Sequence, residues 1–593
     1  MDEQNPDPIA RLERPASLLA EPARFGSDAI AEALRAIGVP YLALNPGASY
    51  RGLHDSIVNH LGNENPQMLL CLHEEHAVAL AHGWAKVTGT PLAVAVHSNV
   101  GLMHATMAIF NAWCDRVPVV ILGATGPVDA AKRRPWIDWI HTAADQGALI
   151  RNYTKWDDQP ASPAAARESL LRANWLARTA PCGPVYVNLD AGLQEAALAE
   201  PLPPLDVARY MPTVRAAPAA VDVATALGWL LAAKQPLILM GRVSRDPNDW
   251  AARVRLAETL GARVATDIKV GSAFPTEHEL HLGVPGSFAD KDVAAAIREA
   301  DVILSLDWVD LGGTLHAACG GAPPGRVIQV SLDHILHNGW SMDHHALPPA
   351  DLLIQAQSDL TVSELLRALD DHPPARDYLT TPRALTYNPP TGMIHIDDVS
   401  RAIQTAAGEQ PISLLHVSLS WNAATWPVRG PLDYLGGDGG GGIGAGPGTS
   451  VGAALALRGT GRLPIAVCGD GDFMMGNGAI WTAVHYQIPL LIVVANNQSF
   501  YNDEVHQERM ARMRNRPVEN KWIGQRVADP GIDLAALAGA QGAVGFGPVE
   551  KGEELLPVLH QAIAALREGH VVVVDVRIAT GYTPAMNAAL VGR

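Results

Sequence analysis

The reading turns on LPIAVCGDGDFMMGNGAIWTAVHYQIPLLIVVANNQSF, residues 463–500. An apolar run over 464–468 ends in Gly469-Asp470-Gly471, and a second over 490–495 ends in Asn496-Asn497. Short continuous Val/Ile/Leu runs closed by Gly, Asp or Asn fit parallel strands covered on both faces. The residues between them read as a helix. Asn497 follows Asp470 by 27 residues, the length of one strand–helix–strand unit, which brings the carboxyl ends of two parallel strands together. A carboxylate and an amide oxygen then face one point. Such hard oxygen ligands suit Mg²⁺ bridging two phosphates. Gly469 and Gly471 let phosphate approach the main chain, and Asn477, read as lying near a helix N-terminus, adds donors. The competing reading is a tight turn followed by an unrelated Asn-Asn loop.

The same alternation extends through the chain. Apolar runs at YLAL (41–44), LAVAVHS (92–98), PVVILGA (118–124) and PVYVNLD (184–190) are expected strands of a first segment. Ser27 is the expected cap of the helix that precedes them. PLILMG, ARVATD, DVILSLD and RVIQVSL serve a second segment, and ISLLHVS and HVVVVDVR join the opening stretch in a third. Two Pro-rich breaks separate the segments. The expected organisation is an extension over 1–24, domains over 25–200, 219–370 and 393–593, and linkers over 201–218 and 371–392. The fold class is α/β, with three doubly wound parallel-sheet domains.

The chain has 593 residues, 48% of them hydrophobic and 18% charged, which fits several packed domains rather than a disordered chain. Forty-four basic against 61 acidic residues give a net charge of −17. That balance argues against nucleic acid or an anionic membrane as a partner. A phosphorylated ligand must then be held by a metal or by helix N-termini. The five cysteines form no CxxC pair, and no apolar run reaches the length of a membrane span. A cytoplasmic protein with reduced thiols is expected.

The 463–500 stretch resembles the GDG…NN diphosphate motif of the thiamine diphosphate (ThDP)-dependent decarboxylase and acetohydroxyacid synthase superfamily. The resemblance implies three domains in the order pyrimidine-binding, central and diphosphate-binding. It also implies that Mg²⁺ is held by Asp470, the side chain of Asn497 and the backbone carbonyl of Ser499. Gly469, Asp470, Gly471 and Asp472 would line the diphosphate. In the Gly-rich run GGDGGGGIGAGPG (436–448), Gly442 and Ile443 would meet the cofactor, with Ile443 propping its thiazolium ring. Composition alone would also allow a flexible loop there.

A buried carboxylate is needed to bond the cofactor's pyrimidine nitrogen. CLHEEHAVALAHGWAKVTG (71–89) offers Glu74 at a strand-to-helix junction, followed by Gly83-Trp84-Ala85-Lys86. It is similar to the family pattern, which implies Glu74 as the activating group and Glu75 as outside it. The alternatives are two carboxylates that merely suit a helix N-terminus, or a zinc site from His73, His76 and His82.

AVHSNVGLMHATMAIFNAWCDRVPVVILGATG (95–126) resembles the corresponding stretch of benzoylformate decarboxylase, as do KWDDQPAS (155–162) and WTAVHYQIP (481–489). It implies His97 as an acid/base group, a task that suits imidazole. In Asn45-Pro46-Gly47-Ala48-Ser49, Ala48 stands where that family carries a serine, and Ser49 is the neighbouring catalytic candidate. The family's second histidine has no clear match; His316 and His337 are candidates. The polar stretch 499–526 reads as a surface helix or as a substrate-covering loop with Glu504 and His506 as acid/base groups. Trp136, Trp139 and His141 read as pocket walls or as core.

The expected function is a ThDP- and Mg²⁺-dependent lyase that decarboxylates a benzoylformate-like 2-oxo acid to an aldehyde. The alternative is a carboligase or 2-hydroxyacyl lyase resembling acetolactate synthase. A non-catalytic cofactor-binding homologue is a third reading. A flavin or nicotinamide oxidoreductase is a fourth, weakened by MGRVSRD in place of a GxGxxG after the strand. The expected partners are a small 2-oxo acid or aldehyde and further copies of the chain, in a homodimer or homotetramer with shared active sites.

Overall fold

The computed structural model describes residues 13–18, 22–336, 347–370, 373–374, 376–383 and 385–582. Three sheets carry the chain, and every strand pairing within them is parallel. The first is built from β1 (Tyr41–Leu44), β2 (Gln67–Leu70), β3 (Ala93–Val96), β4 (Val119–Thr125), β5 (Asp157–Asp158) and β6 (Pro184–Asp190), in the order β2-β1-β3-β4-β6-β5. The second holds β7 (Pro236–Met240), β8 (Arg263–Thr266), β9 (Val302–Leu306), β10 (Arg326–Val330) and β11 (Leu352–Ile354), ordered β11-β10-β9-β7-β8. The third holds β12 (Ile412–Leu414), β13 (Leu463–Gly469), β14 (Leu490–Asn496), β15 (Val544–Val549) and β16 (Val571–Arg577), ordered β12-β13-β14-β16-β15.

Strands buried on both faces need apolar side chains at every position, and β3, β4, β9 and β14 are buried throughout. The strand order changes direction between β1 and β3 in the first sheet, between β9 and β7 in the second, and between β14 and β16 in the third. This leaves crevices at the carboxyl ends, where open α/β sheets take ligands. The first and third domains are fastened by the Glu74–Thr88 helix lying against the Ala445–Ala456 helix. Small residues permit that approach: a Cβ on Gly83 would lie 1.9 Å from the carbonyl oxygen of Thr449.

One cap differs from expectation. The first helix starts at Gly26, and Ser27 lies inside it, buried, with its hydroxyl accepting from Ser56 Oγ at 2.8 Å. Asp28 takes the capping work, accepting from the backbone N–H groups of Arg24 and Phe25 at 2.9 Å each. All five cysteines are free thiols. No helix among the described residues is long and apolar enough to cross a membrane.

Candidate active site

The carboxyl ends of β13 and β14 open on a cavity of about 2470 Å³ that all three domains line. Asp470 begins the helix after β13, and its Oδ2 is buried with no hydrogen-bond partner. Burial lifts this carboxyl to about pH 6, against the pull of the nearby Gly471, Ser499 and Gln498 backbone N–H groups. A buried, unsatisfied carboxylate oxygen is costly unless a cation meets it. Asn497 and Ser499 line the same cavity. Asn497 Oδ1 accepts from Ser499 N at 2.9 Å, which folds the loop and keeps one lone pair of that oxygen. Asn496 is structural, donating to Asp575 Oδ1 at 2.8 Å. These oxygens fit a divalent cation.

The turn leaves room for phosphate. A Cβ on Gly469 would meet nothing within 4 Å, and one on Gly471 would lie 2.5 Å from the Phe500 ring. Asn477 departs from its expected role. It sits at the break between the Asp470–Gly476 and Ala479–His485 helices and donates to Met474 O at 2.6 Å.

Asp472 lines the same cavity and also braces the Gly-rich loop. Its Oδ1 accepts from Gly444 N at 2.6 Å and Gly446 N at 3.3 Å. Its Oδ2 lies 3.1 Å from His416 Nε2, whose Nδ1 lies 3.0 Å from Asp438. Burial would lower the His416 pKa, but Asp438 and Asp472 overcome it and lift it to about 10. His416 therefore ties both ends of the Gly-rich loop. From the first domain, Asn111 Oδ1 accepts from Gly442 N at 3.4 Å, and Lys86 bonds Gly437 O and Asp115. Ile443 stands at the crest of this loop, 47% exposed, on the cavity wall. Sequence reasoning missed His416 and Asp438. The available signal was a polar residue just beyond a buried strand and an acid inside a glycine run.

Glu74 lies elsewhere, at the mouth of β2, and does not line the cavity. It is buried, with Oε2 3.0 Å from His104 Nδ1, and His73 stacks on His104. Glu75 is half-buried, and burial and then Asp472 raise its pKa. His82 is spent on Asp115 at 2.8 Å. Among the described residues, the groups spaced to hold a metal are His73–Glu74–His104 and His416–Cys468–Asp472, not the expected His73–His76–His82 set.

His97 follows β3 and joins the Glu74 side of the molecule. Its Nδ1 lies 2.8 Å from Ser49 Oγ, and the His141 ring packs edge-on with centroids 4.5 Å apart. Burial and then His141 lower its pKa, while Glu74 acts in the opposite sense. A Cβ on Gly47 would lie 2.2 Å from His97 Cβ, so only glycine permits this approach. Ala48 is exposed and Ser49 buried. Trp136 and Trp139 are 69% and 77% exposed, which removes them from any core of the single chain.

The 499–526 stretch folds as a Tyr501–Met513 helix and a Val518–Trp522 turn. Glu504 is buried, accepting from Ser499 Oγ at 2.6 Å and Arg526 Nε at 3.2 Å, so it clasps the Asn497–Ser499 loop and is not free for proton transfer. His506 is exposed and stands off the cavity, contrary to its expected catalytic place. The outward face of that helix carries it away, whereas Tyr501 and Asn502 reach the wall. His316 is exposed at the cavity's central-domain rim, and His337 lies outside the described residues. At the end of β7, Arg242 is held by Asp307 and Asp333, each at 3.3 Å.

Three family models match in sequence order: the thiamine pyrophosphate enzyme N-terminal TPP binding domain over residues 24–152, the central domain over 223–355, and the C-terminal TPP binding domain over 418–576. The chain belongs to the thiamine diphosphate-dependent enzyme family. Within that family it is similar to the acetolactate synthase large subunit of Lactococcus lactis, 24% identical over 517 residues and covering 85% of each chain. It is also similar to acetolactate synthase isozyme 3 large subunit of Escherichia coli, 23% identical with 93% and 94% covered. Among solved structures it shares its fold with the 4-hydroxybenzoylformate decarboxylase of Rhodococcus jostii, at TM-score 0.75, 21% identity and 94% and 99% coverage. Benzoylformate decarboxylase from Polynucleobacter necessarius gives TM-score 0.75 at 22% identity, with the same coverage. The three parallel sheets are thus those of a ThDP enzyme, and Asp470 stands in the third of its domains on a cavity that all three line.

Proposed function

We propose that this ThDP enzyme is a Mg²⁺-dependent carbon–carbon lyase that decarboxylates a benzoylformate-like 2-oxo acid to an aldehyde. The observation that carries the reading is the buried, unpartnered Oδ2 of Asp470 beside Asn497 and Ser499. Asp470, the Asn497 amide oxygen and the Ser499 carbonyl would hold the metal. Gly469, Gly471 and the Gly442–Ile443 stretch would line the cofactor. When bound, ThDP supplies an electron sink for breaking the bond beside a carbonyl. Glu74 would hold a proton against the pyrimidine nitrogen from a site shielded from water. His97 would deliver a proton at the reacting carbon.

Glu74 and His97 stand apart from the Asp470 cavity in one chain, which supports a site completed by a second copy. Exposed Leu72, Val100, Met103 and Met475 suit burial in such an interface. A homodimer or homotetramer in the cytoplasm follows, consistent with five free thiols.

Carboligation is the second reading, favoured by Ala48 and by relatives named acetolactate synthases. A panel of 2-oxo acids, followed for CO₂, aldehyde and acyloin, tests both. Aldehyde release that is lost in Glu74→Gln supports the lyase. Acyloin as the main product replaces it with the second reading, and no turnover of any 2-oxo acid refutes both.

A further inference from the structure

The Ser49 hydroxyl is the one hydroxyl beside His97 that the loop 45–49 provides, and its bonding shows what it is used for. Three groups of Ser49 are committed. Its backbone N–H points at His97 Nδ1 at 3.4 Å, its Oγ lies 2.8 Å from the same nitrogen, and its carbonyl accepts from Gln194 Nε2 at 3.0 Å. Gln194 is itself fully buried and also bonds Leu53 N and Leu189 O. A backbone N–H can only donate. A ring nitrogen that receives it carries no proton of its own, so the imidazole proton resides on Nε2.

We propose that Ser49 is a positioning residue that locks His97 in its Nε2–H tautomer, so that His97 acts as a neutral donor and the serine does not itself meet substrate. The proposal rests on the catalytic reading of His97 given above. The Gly47 contact presses the loop onto the ring, and His141 closes the other side. The ionisable groups facing His97 are His141, which opposes a positive charge there, and Glu74, which favours one; burial and His141 outweigh Glu74 and lower the His97 pKa. The exposed Ala48 offers no hydroxyl in exchange. The half-site therefore presents an N–H donor rather than a hydroxyl to the substrate.

The test is ¹⁵N-histidine NMR of the apo-protein at neutral pH, with His97→Gln to assign the resonance. The expected wild-type signature is a protonated Nε2 and a bare Nδ1. Ser49→Ala removes the 2.8 Å contact and leaves the 3.4 Å backbone donor, so Nε2–H should remain the tautomer while kcat/KM falls about threefold to tenfold, the worth of one hydrogen bond. Its acid limb should move up toward the free imidazole value, and Ser49→Thr should restore both. An Nδ1–H tautomer in the wild type overturns the proposal, as does a Ser49→Ala variant with unchanged kcat/KM and pH profile. Because the tautomer is read on apo-protein, it stands or falls separately from any failure to turn over a 2-oxo acid.

Discussion

Replacing His416 by Gln is the most informative perturbation of the third domain. The imidazole is 5% exposed and bridges Asp438 and Asp472, which in turn bonds Gly444 and Gly446. Removing one partner of a buried ionic group typically costs about 3–5 kcal/mol, because the remaining charge stays buried without compensation. For a domain of this size, each kcal/mol moves the melting temperature by about 2–4 °C. The His416→Gln domain should therefore melt on the order of 10 °C lower near neutral pH. The pH dependence has a definite sign. The two carboxylates raise the His416 pKa from the ordinary imidazole value of 6.5 to about 10 in the fold. Its contribution is fully present below 6.5 and is lost as pH rises through 10. Scanning calorimetry of wild type and variant should show a gap that is wide at pH 6.5 and closes toward pH 10. A gap under about 2 °C at neutral pH, or one that does not change with pH, would refute the buried imidazolium.

Two further substitutions separate the two halves of the site. Glu504→Gln breaks the clasp from Arg526 and Ser499 onto the Asn497–Ser499 loop; if that loop holds Mg²⁺ as proposed, binding should weaken about tenfold, read by magnesium titration of ThDP binding. Gly47→Ala forces the loop off His97 and should cost about a hundredfold in turnover while leaving ThDP affinity in place, since the contact touches neither Glu74 nor the Asp470 turn.

The sheets were legible because buried parallel strands must be apolar at nearly every position, and β4, β9 and β14 read as unbroken runs. The two-residue β5 and the β15 strand, with Gly545 and Gly547 inside it, carry too little apolar signal to be seen. Asp470 and Asn497 were legible because both close strands of one crossover unit, so spacing alone brings them together. The bonds from Asp472 to His416 and to the Gly444 and Gly446 amides were not legible, because those partners come from other elements of the domain. His506 was misplaced because one turn of helix decides between the cavity wall and solvent. The same limit hid the meeting of Ser49, His97 and His141, three loop residues that only the packing of the first sheet joins.

The central claim is that Asp470 anchors a metal-dependent ThDP site. Calorimetric titration of ThDP into metal-free protein, with and without Mg²⁺, tests it in wild type and Asp470→Ala. The account predicts tight binding in wild type only when Mg²⁺ is present, and none measurable in the variant. Equal binding in both proteins, or wild-type binding indifferent to Mg²⁺, would contradict it.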